Sequence, residues 1–295
     1  MNMRGQFVNT MESLIKEHPQ LTLLLGDIGV FGFRNSLKNY PERAYNIGIL
    51  EQSTISLAAG LAKTNMVPVV YTIAPFLIER CFEQLKIEFG YQKLGGNFVS
   101  VGASYDYAAL GCTHHCPADV QILKNIPGMQ IVLPGTSHEL DLLFRQVCFN
   151  SSPTYMRLSE QENSDSYDVE FGKAVVVKKG DDATVIAVGP ILRPVSDAVK
   201  DMNVTLLYYT TVSPFDVETL QKNCRSSKVI LCEPYYEGGL AYEICTALKP
   251  RPVSLNFIGV PHKFLTNYGK SEEHDKNINL DAEAIQKRIE KIIYE

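Results

Sequence analysis

Asn46-Ile47-Gly48-Ile49-Leu50-Glu51-Gln52 is the stretch on which the rest of the chain is organised. It follows a short apolar run and leads directly into Ser53-Thr54-Ile55-Ser56-Leu57-Ala58-Ala59-Gly60-Leu61-Ala62, whose small side chains suit a helix packed closely against a sheet. Glu51 therefore falls at a strand-to-helix junction, with apolar residues before it and a buried helix after it. An acid in that position has two readings. It can be a helix N-terminal carboxylate stabilised by the macrodipole, or a desolvated group placed to do chemistry.

Working outward, the same alternation of strand and helix recurs. Phe7–Glu17 carries apolar residues at helical spacing (Val8, Met11, Leu14, Ile15) and stops at His18-Pro19. Leu21–Leu25 reads as a strand running into Gly26-Asp27-Ile28-Gly29, a loop at the carboxyl end of a strand, where open α/β sheets place ligands. Strands follow at 44–47, 67–72, 98–102, 129–133 and 154–158, with helices at 77–85, 120–124 and 137–147 and a long loop through His115. The polar segment Ser159–Asp168 lacks apolar periodicity and reads as a linker. Beyond it the pattern restarts, with strands at 174–177, 183–188, 204–209, 228–232 and 253–258 and helices at 194–202, 217–223, 240–248 and 281–294. The expectation is two α/β domains, residues 1–165 and 166–295, each a mostly parallel sheet covered by helices on both faces. A fragment ending at Asp168 is expected to fold alone.

Composition narrows the function. The 295 residues are 45% hydrophobic and 21% charged, ordinary for a globular protein. A formal net charge of −5 gives no electrostatic case for nucleic acid or an anionic membrane. No apolar run approaches the roughly 18 residues of a membrane span, and Met1-Asn2-Met3-Arg4-Gly5-Gln6 has no apolar signal core, so the expected location is cytoplasmic. The seven cysteines are scattered and odd in number, which fits reduced, mostly buried thiols. Cys112-Thr113-His114-His115-Cys116 has the residue types of a zinc site without the usual spacing or a second pair, so no metal site is assigned to this chain.

Several motifs in order then resemble the transketolase family. Asn46–Gln52, Tyr71-Thr72-Ile73-Ala74-Pro75-Phe76 with Arg80–Gln84, and Leu110-Gly111-Cys112-Thr113-His114-His115 resemble its pyrimidine-binding domain. Glu233-Pro234-Tyr235-Tyr236-Glu237-Gly238-Gly239 and Phe257–Pro261 resemble its C-terminal domain. The match covers nearly the whole chain and resembles the separate C-terminal half of a split transketolase. Deoxyxylulose-phosphate synthases and pyruvate dehydrogenase β subunits are related.

The resemblance implies a thiamine-diphosphate-dependent transfer of a two-carbon ketol unit between sugars. Glu51 then matches the glutamate that shares a proton with N1′ of the cofactor's aminopyrimidine, and a mostly apolar pocket suits that role. Phe76 matches the aromatic residue that stacks on the pyrimidine, and Ile73 lines the pocket. Arg80 and Asp27 are counted among the cofactor-binding residues, Arg80 being read also as structural or as paired with a carboxylate. His114 matches a histidine at the reacting end of the substrate. His115 stands where relatives have glutamine, and both histidines are read as orienting substrate or moving protons.

Departures from the family pattern point to the substrate and to a partner. Leu110 and Cys112 replace an aspartate and a proline, Glu160 stands where sugar-phosphate-using relatives have arginine, and a histidine expected near Gly102-Ala103 is missing. Two lost cations and a gained acid argue against a standard pentose phosphate and favour a non-phosphorylated, nucleotide-linked or amine-bearing sugar. Neither Gly26-Asp27-Ile28-Gly29 nor Gly180-Asp181-Asp182 fits the Gly-Asp-Gly motif that holds the diphosphate through Mg²⁺. A separate N-terminal subunit is expected to carry that motif, with self-association and an α₂β₂ assembly. Two other readings remain open at this level: a 2-oxo acid dehydrogenase β subunit, which needs a lipoyl-bearing partner, and a non-catalytic scaffold that has kept the fold.

Overall fold

The computed structural model describes residues 1–249 and 251–294. Strands β1 (Leu21–Leu25), β2 (Ala44–Asn46), β3 (Val67–Ile73), β4 (Gly96–Val101), β5 (Gln130–Val132) and β6 (Pro153–Arg157) form one sheet. A second sheet holds β7 (Ala174–Lys178), β8 (Thr184–Val188) and β9 (Thr205–Tyr209), continuing past β10 (Thr211–Ser213) to β11 (Lys228–Tyr236) and β12 (Ser254–Val260). The first sheet runs in the order β10-β5-β6-β4-β3-β1-β2 and the second β12-β11-β8-β9-β7. Every pairing is parallel except β10 on β5 and β7 on β9. β1, β4, β6, β8 and β9 are buried along their whole length, as strands covered on both faces must be.

Strand β10 departs from the expected organisation. It belongs to the second half in sequence, yet Thr211 pairs with Val132 and Ser213 with Ile131. Leu133 N–H also donates to the Thr210 carbonyl at 2.7 Å, and Ser213 Oγ to the Met129 carbonyl at 2.7 Å. In a fragment ending at Asp168, β5 would be the edge of the sheet. The segment read as a linker is also anchored. Asn163 is buried, accepts from Arg193 N–H, and donates from Nδ2 to Tyr208 Oη at 3.2 Å.

Two local differences shape the site. The first helix spans Met3–Glu17, one turn longer than its apolar spacing indicates, because Asn2 Oδ1 accepts from Gly5 N–H at 2.9 Å and caps it. The helix expected at 77–85 instead begins at Ala74, directly after β3 with Pro75 in its first turn, and stops at Ile78. The N–H groups of Glu79 and Arg80 both reach back to the Pro75 carbonyl, ending that helix, and Leu85–Tyr91 then winds as a π-helix.

Candidate active site

Glu51 opens the helix Glu51–Lys63, at the carboxyl end of the first sheet. The turn leading to it is held by Asn46. Its Oδ1 accepts from the N–H groups of Asp27 (3.0 Å) and Gly48 (3.3 Å), and its Nδ2 donates to Asp27 Oδ1 at 2.9 Å. Gly48 sits at φ +83°, a left-handed conformation that glycine adopts without strain. Asp27 is exposed, and its role so far is to fasten the ends of β1 and β2 together.

The Glu51 side chain is 4% exposed. Among the described residues its single hydrogen-bond partner is Arg80, whose Nη1 donates to Oε2 at 2.7 Å. The arginine side chain is 44% exposed, and its guanidinium lies 4.4 Å from the centre of the Phe76 ring. Gln52 Nε2 donates to the Arg80 carbonyl at 3.2 Å, tying the two segments together. Phe76 in turn meets the His114 ring edge-on at 5.4 Å. Glu51, Arg80, Phe76 and His114 are thus one connected group built from four places in the chain. Ile73, half-buried, ends β3 just before Phe76 and packs within 3.3 Å of the position a Cβ on Gly102 would take.

His114 and His115 part company. His114 is half-buried and lies in a short 3₁₀ turn, Cys112–His114, with its Nδ1 3.0 Å from Thr113 Oγ1. His115 is only 7% exposed and meets the ring of His274 at 5.6 Å. Burial, with His274 and His114 nearby, pushes its imidazole down to about 4, so it is neutral near pH 7. Among the described residues no hydrogen bond or ring contact joins it to Glu51, Phe76 or Arg80. His115 thus stands apart from the Glu51–Arg80–Phe76–His114 group, its ring set against His274 of the helix Ser271–Asn277.

A cavity of about 310 Å³ adjoins this group, lined by Asn2, Arg4, Gly102, Tyr107, Ser159 and Glu160. Tyr107 connects it to the site, its ring 6.4 Å from that of His114. Glu160 faces the cavity, and burial pushes its carboxyl up against the opposing pull of Arg4. Arg4 Nε donates to Tyr71 Oη at 3.2 Å, and no ion pair within 4 Å joins it to Glu160. Sequence reasoning missed Arg4, so the cavity is not stripped of cations as the departures at Glu160 and Gly102 implied. The signal was the Asn2 cap, which turns the helix early enough to bring Arg4 to the sheet's carboxyl end.

Comparison with known proteins then fixes the family. The model for the transketolase pyrimidine-binding domain matches residues 1–164 and that for the transketolase C-terminal domain residues 172–285. An uncharacterised 33.6 kDa protein in the fasciation locus of Rhodococcoides fascians is 34% identical, covering 96% of this chain and 92% of its own. An apulose-4-phosphate transketolase subunit of Phocaeicola vulgatus is 29% identical over 96% of this chain and 95% of its own. A solved structure titled as a split-gene transketolase, inactive β4 tetramer, superimposes with a TM-score of 0.86 at 23% identity, covering 99% and 98% of the two chains, and shows the same fold. The chain belongs to the transketolase family, as a pyrimidine-binding domain followed by the family's C-terminal domain.

Proposed function

We propose that this chain is the C-terminal subunit of a two-subunit transketolase and completes its thiamine diphosphate site only with an N-terminal partner. The observation that carries this reading is Glu51: a buried carboxylate whose sole hydrogen-bond partner among the described residues is a long, half-exposed arginine, beside a half-buried phenylalanine ring. Those residues fit the aminopyrimidine end of the cofactor. When bound, thiamine diphosphate supplies the electron sink that lets a ketose carbon–carbon bond break. Glu51 holds the proton at the pyrimidine N1′, Phe76 stacks on that ring, and Ile73 closes its apolar side. Arg80 is the removable partner that keeps the carboxylate paired in the separate chain. His114, against Phe76, orients the reacting end of the sugar. Asp27 has one carboxylate oxygen left over from its bond to Asn46 and is assigned to the cofactor's surroundings.

The partner is assigned the diphosphate and Mg²⁺, since Asp27 and Asp181-Asp182 lack the motif for them. Exposed Ile49 and Leu50 precede the Glu51 helix and exposed Leu57 lies on it, and exposed Ile87 and Tyr91 lie on the neighbouring π-helix. Such apolar surface beside a half-built site favours burial in an assembly, which we assign as α₂β₂. The Arg4–Glu160 cavity supports a sugar whose end carries hydroxyls or an amine: a guanidinium and a carboxyl group in one lining suit groups that both accept and donate, and the carboxylate repels a dianionic phosphate monoester.

Calorimetry with thiamine diphosphate at saturating Mg²⁺ tests the split site, on the chain alone, on its mixture with the N-terminal subunit, and on Glu51→Ala. Binding only in the mixture, with ketol transfer lost in Glu51→Ala, is the expected result. Tight binding by the chain alone would overturn the division of the cofactor between subunits.

A further inference from the structure

The loop that presents His114 is fastened from both halves of the chain. Arg157 Nη2 donates to Ser104 Oγ at 2.7 Å, Asp106 accepts from Ser159 Oγ at 3.2 Å and from Glu160 N–H at 3.0 Å, and the C-terminal half adds further ties. The loop's ends are tied together by Cys116 N–H, which donates to the Ser104 carbonyl at 2.7 Å. Between them, Tyr105 Oη donates to Asp275 Oδ1 at 2.5 Å. The same carboxylate takes Gln161 Nε2 on its other oxygen at 2.9 Å, so Asp275 bridges the loop and the interdomain segment. His274, next to Asp275, packs on both Tyr105 (5.5 Å) and His115 (5.6 Å). Ser104 Oγ donates to the Pro234 carbonyl, and Tyr236 N–H to the Pro117 carbonyl at 2.9 Å. The Tyr268 ring closes over Gly111, at φ +75°, where an added Cβ would come within 2.6 Å of the ring.

We infer that Tyr105 and Asp275 are positioning residues, through which the C-terminal domain holds His114 in place against Phe76. The loop has little regular structure of its own, only the 3₁₀ turns Ala108–Leu110 and Cys112–His114, and short 3₁₀ turns do not persist unsupported. Its geometry is supplied from outside, by Arg157, Ser159 and Glu160 as well as by the C-terminal domain. Asp275 stands at the centre because one carboxylate accepts from two segments at once, and Tyr105 is buried with its hydroxyl directed at that carboxylate. Neither residue touches Glu51, Phe76 or Arg80, so disturbing them moves His114 and leaves the pyrimidine-binding group intact.

The test compares Tyr105→Phe, Asp275→Ala and Asp275→Asn in the full chain, by amide exchange and by the His114 imidazole resonances. It is repeated for turnover with the N-terminal subunit present. Loss of one buried hydrogen bond is expected to speed exchange across residues 104–116 by about five- to tenfold, with β1 and β3 unchanged. The His114 resonances shift in Tyr105→Phe and Asp275→Ala. Turnover falls about ten- to hundredfold, as a small misplacement of a reacting group does, while thiamine diphosphate affinity holds. Asp275→Asn restores wild-type behaviour, because its amide still accepts from Tyr105 and donates to a reoriented Gln161.

Unchanged exchange and unchanged His114 resonances would overturn the inference. So would loosened exchange with wild-type turnover, or exchange that rises equally throughout the first sheet. The inference rests on the proposed function only for the turnover arm. If the wild-type pair transfers no ketol unit, that reading fails, and the exchange and imidazole measurements still decide this one.

Discussion

Glu51 and Glu233 are both buried glutamates, and they differ in who holds them. Glu233, in β11, is 0% exposed and takes three backbone N–H groups from its own following turn: Gly238 (2.6 Å) and Gly239 (3.0 Å) on Oε2, and Leu240 (3.0 Å) on Oε1. Glu51 takes one bond, from the end of a half-exposed arginine. A fully buried carboxyl group held by three fixed backbone donors is a structural strut. A carboxylate satisfied by one flexible side chain is available to another partner. Burial alone therefore does not distinguish the two acids; the kind of partner does.

The largest separation of the two is expected in catalysis. Glu51→Gln should lower ketol transfer by the reconstituted enzyme about 10²- to 10⁴-fold, the range for a positioned proton-transfer group. The urea midpoint should barely move, and a large fall in it would show that Glu51 is a strut as well. Glu233→Ala should do the reverse. It strands three backbone donors, two of them on buried residues, at a cost of about 2–5 kcal/mol in denaturant unfolding. Protein that remains folded should keep its turnover. Arg80→Ala is expected to act between these, lowering turnover about tenfold or less and stability by about 1–3 kcal/mol, because it leaves the buried Glu51 carboxylate without that partner. Equal activity in Arg80→Ala and wild type would make the arginine a bystander.

The smallest effect lies in the pH dependence of stability. Burial pushes the Glu233 carboxyl up from about 4.5 to about 7, opposed by its backbone donors. Its stabilising share is therefore full below about pH 4.5 and is lost as the pH rises to about 7. His115 runs the other way: with its imidazole pushed down from 6.5 to about 4, its share is present above pH 6.5 and is lost as the pH falls to about 4. Glu233→Gln should remove the first slope and His115→Gln the second, read as unfolding midpoints between pH 4 and 8. Parallel profiles for all three proteins would break the assignment.

Much of this was legible in the residues. Parallel strands covered on both faces read as unbroken apolar runs, so Leu21–Leu25 was found at its full length. Ser137–Val147 was found at both ends, where Thr136 Oγ1 accepts from Glu139 N–H as its cap. Arg80, read as structural or paired with a carboxylate, pairs with Glu51 itself. Periodicity is local, and what it missed is long-range. Thr211–Ser213 has no pattern that assigns it to the first sheet rather than the second. The contact of His115 with His274, far along the chain, is one such pairing, and Arg4 reaches the cavity because Asn2 caps its helix early.

The antiparallel pairing of β10 with β5 also sets an order of events on the ribosome. All other strands of the first sheet are made by Arg157, but the β5 edge stays open until Thr211–Ser213 has emerged. During that interval an unpaired edge is offered to any neighbouring nascent chain, a hazard for a protein made as many copies on one message. The same pairing tells a geneticist where this polypeptide resists being cut. Its two sequence domains share a sheet, so a gene break between residues 165 and 213 would separate an edge from the strand that seals it.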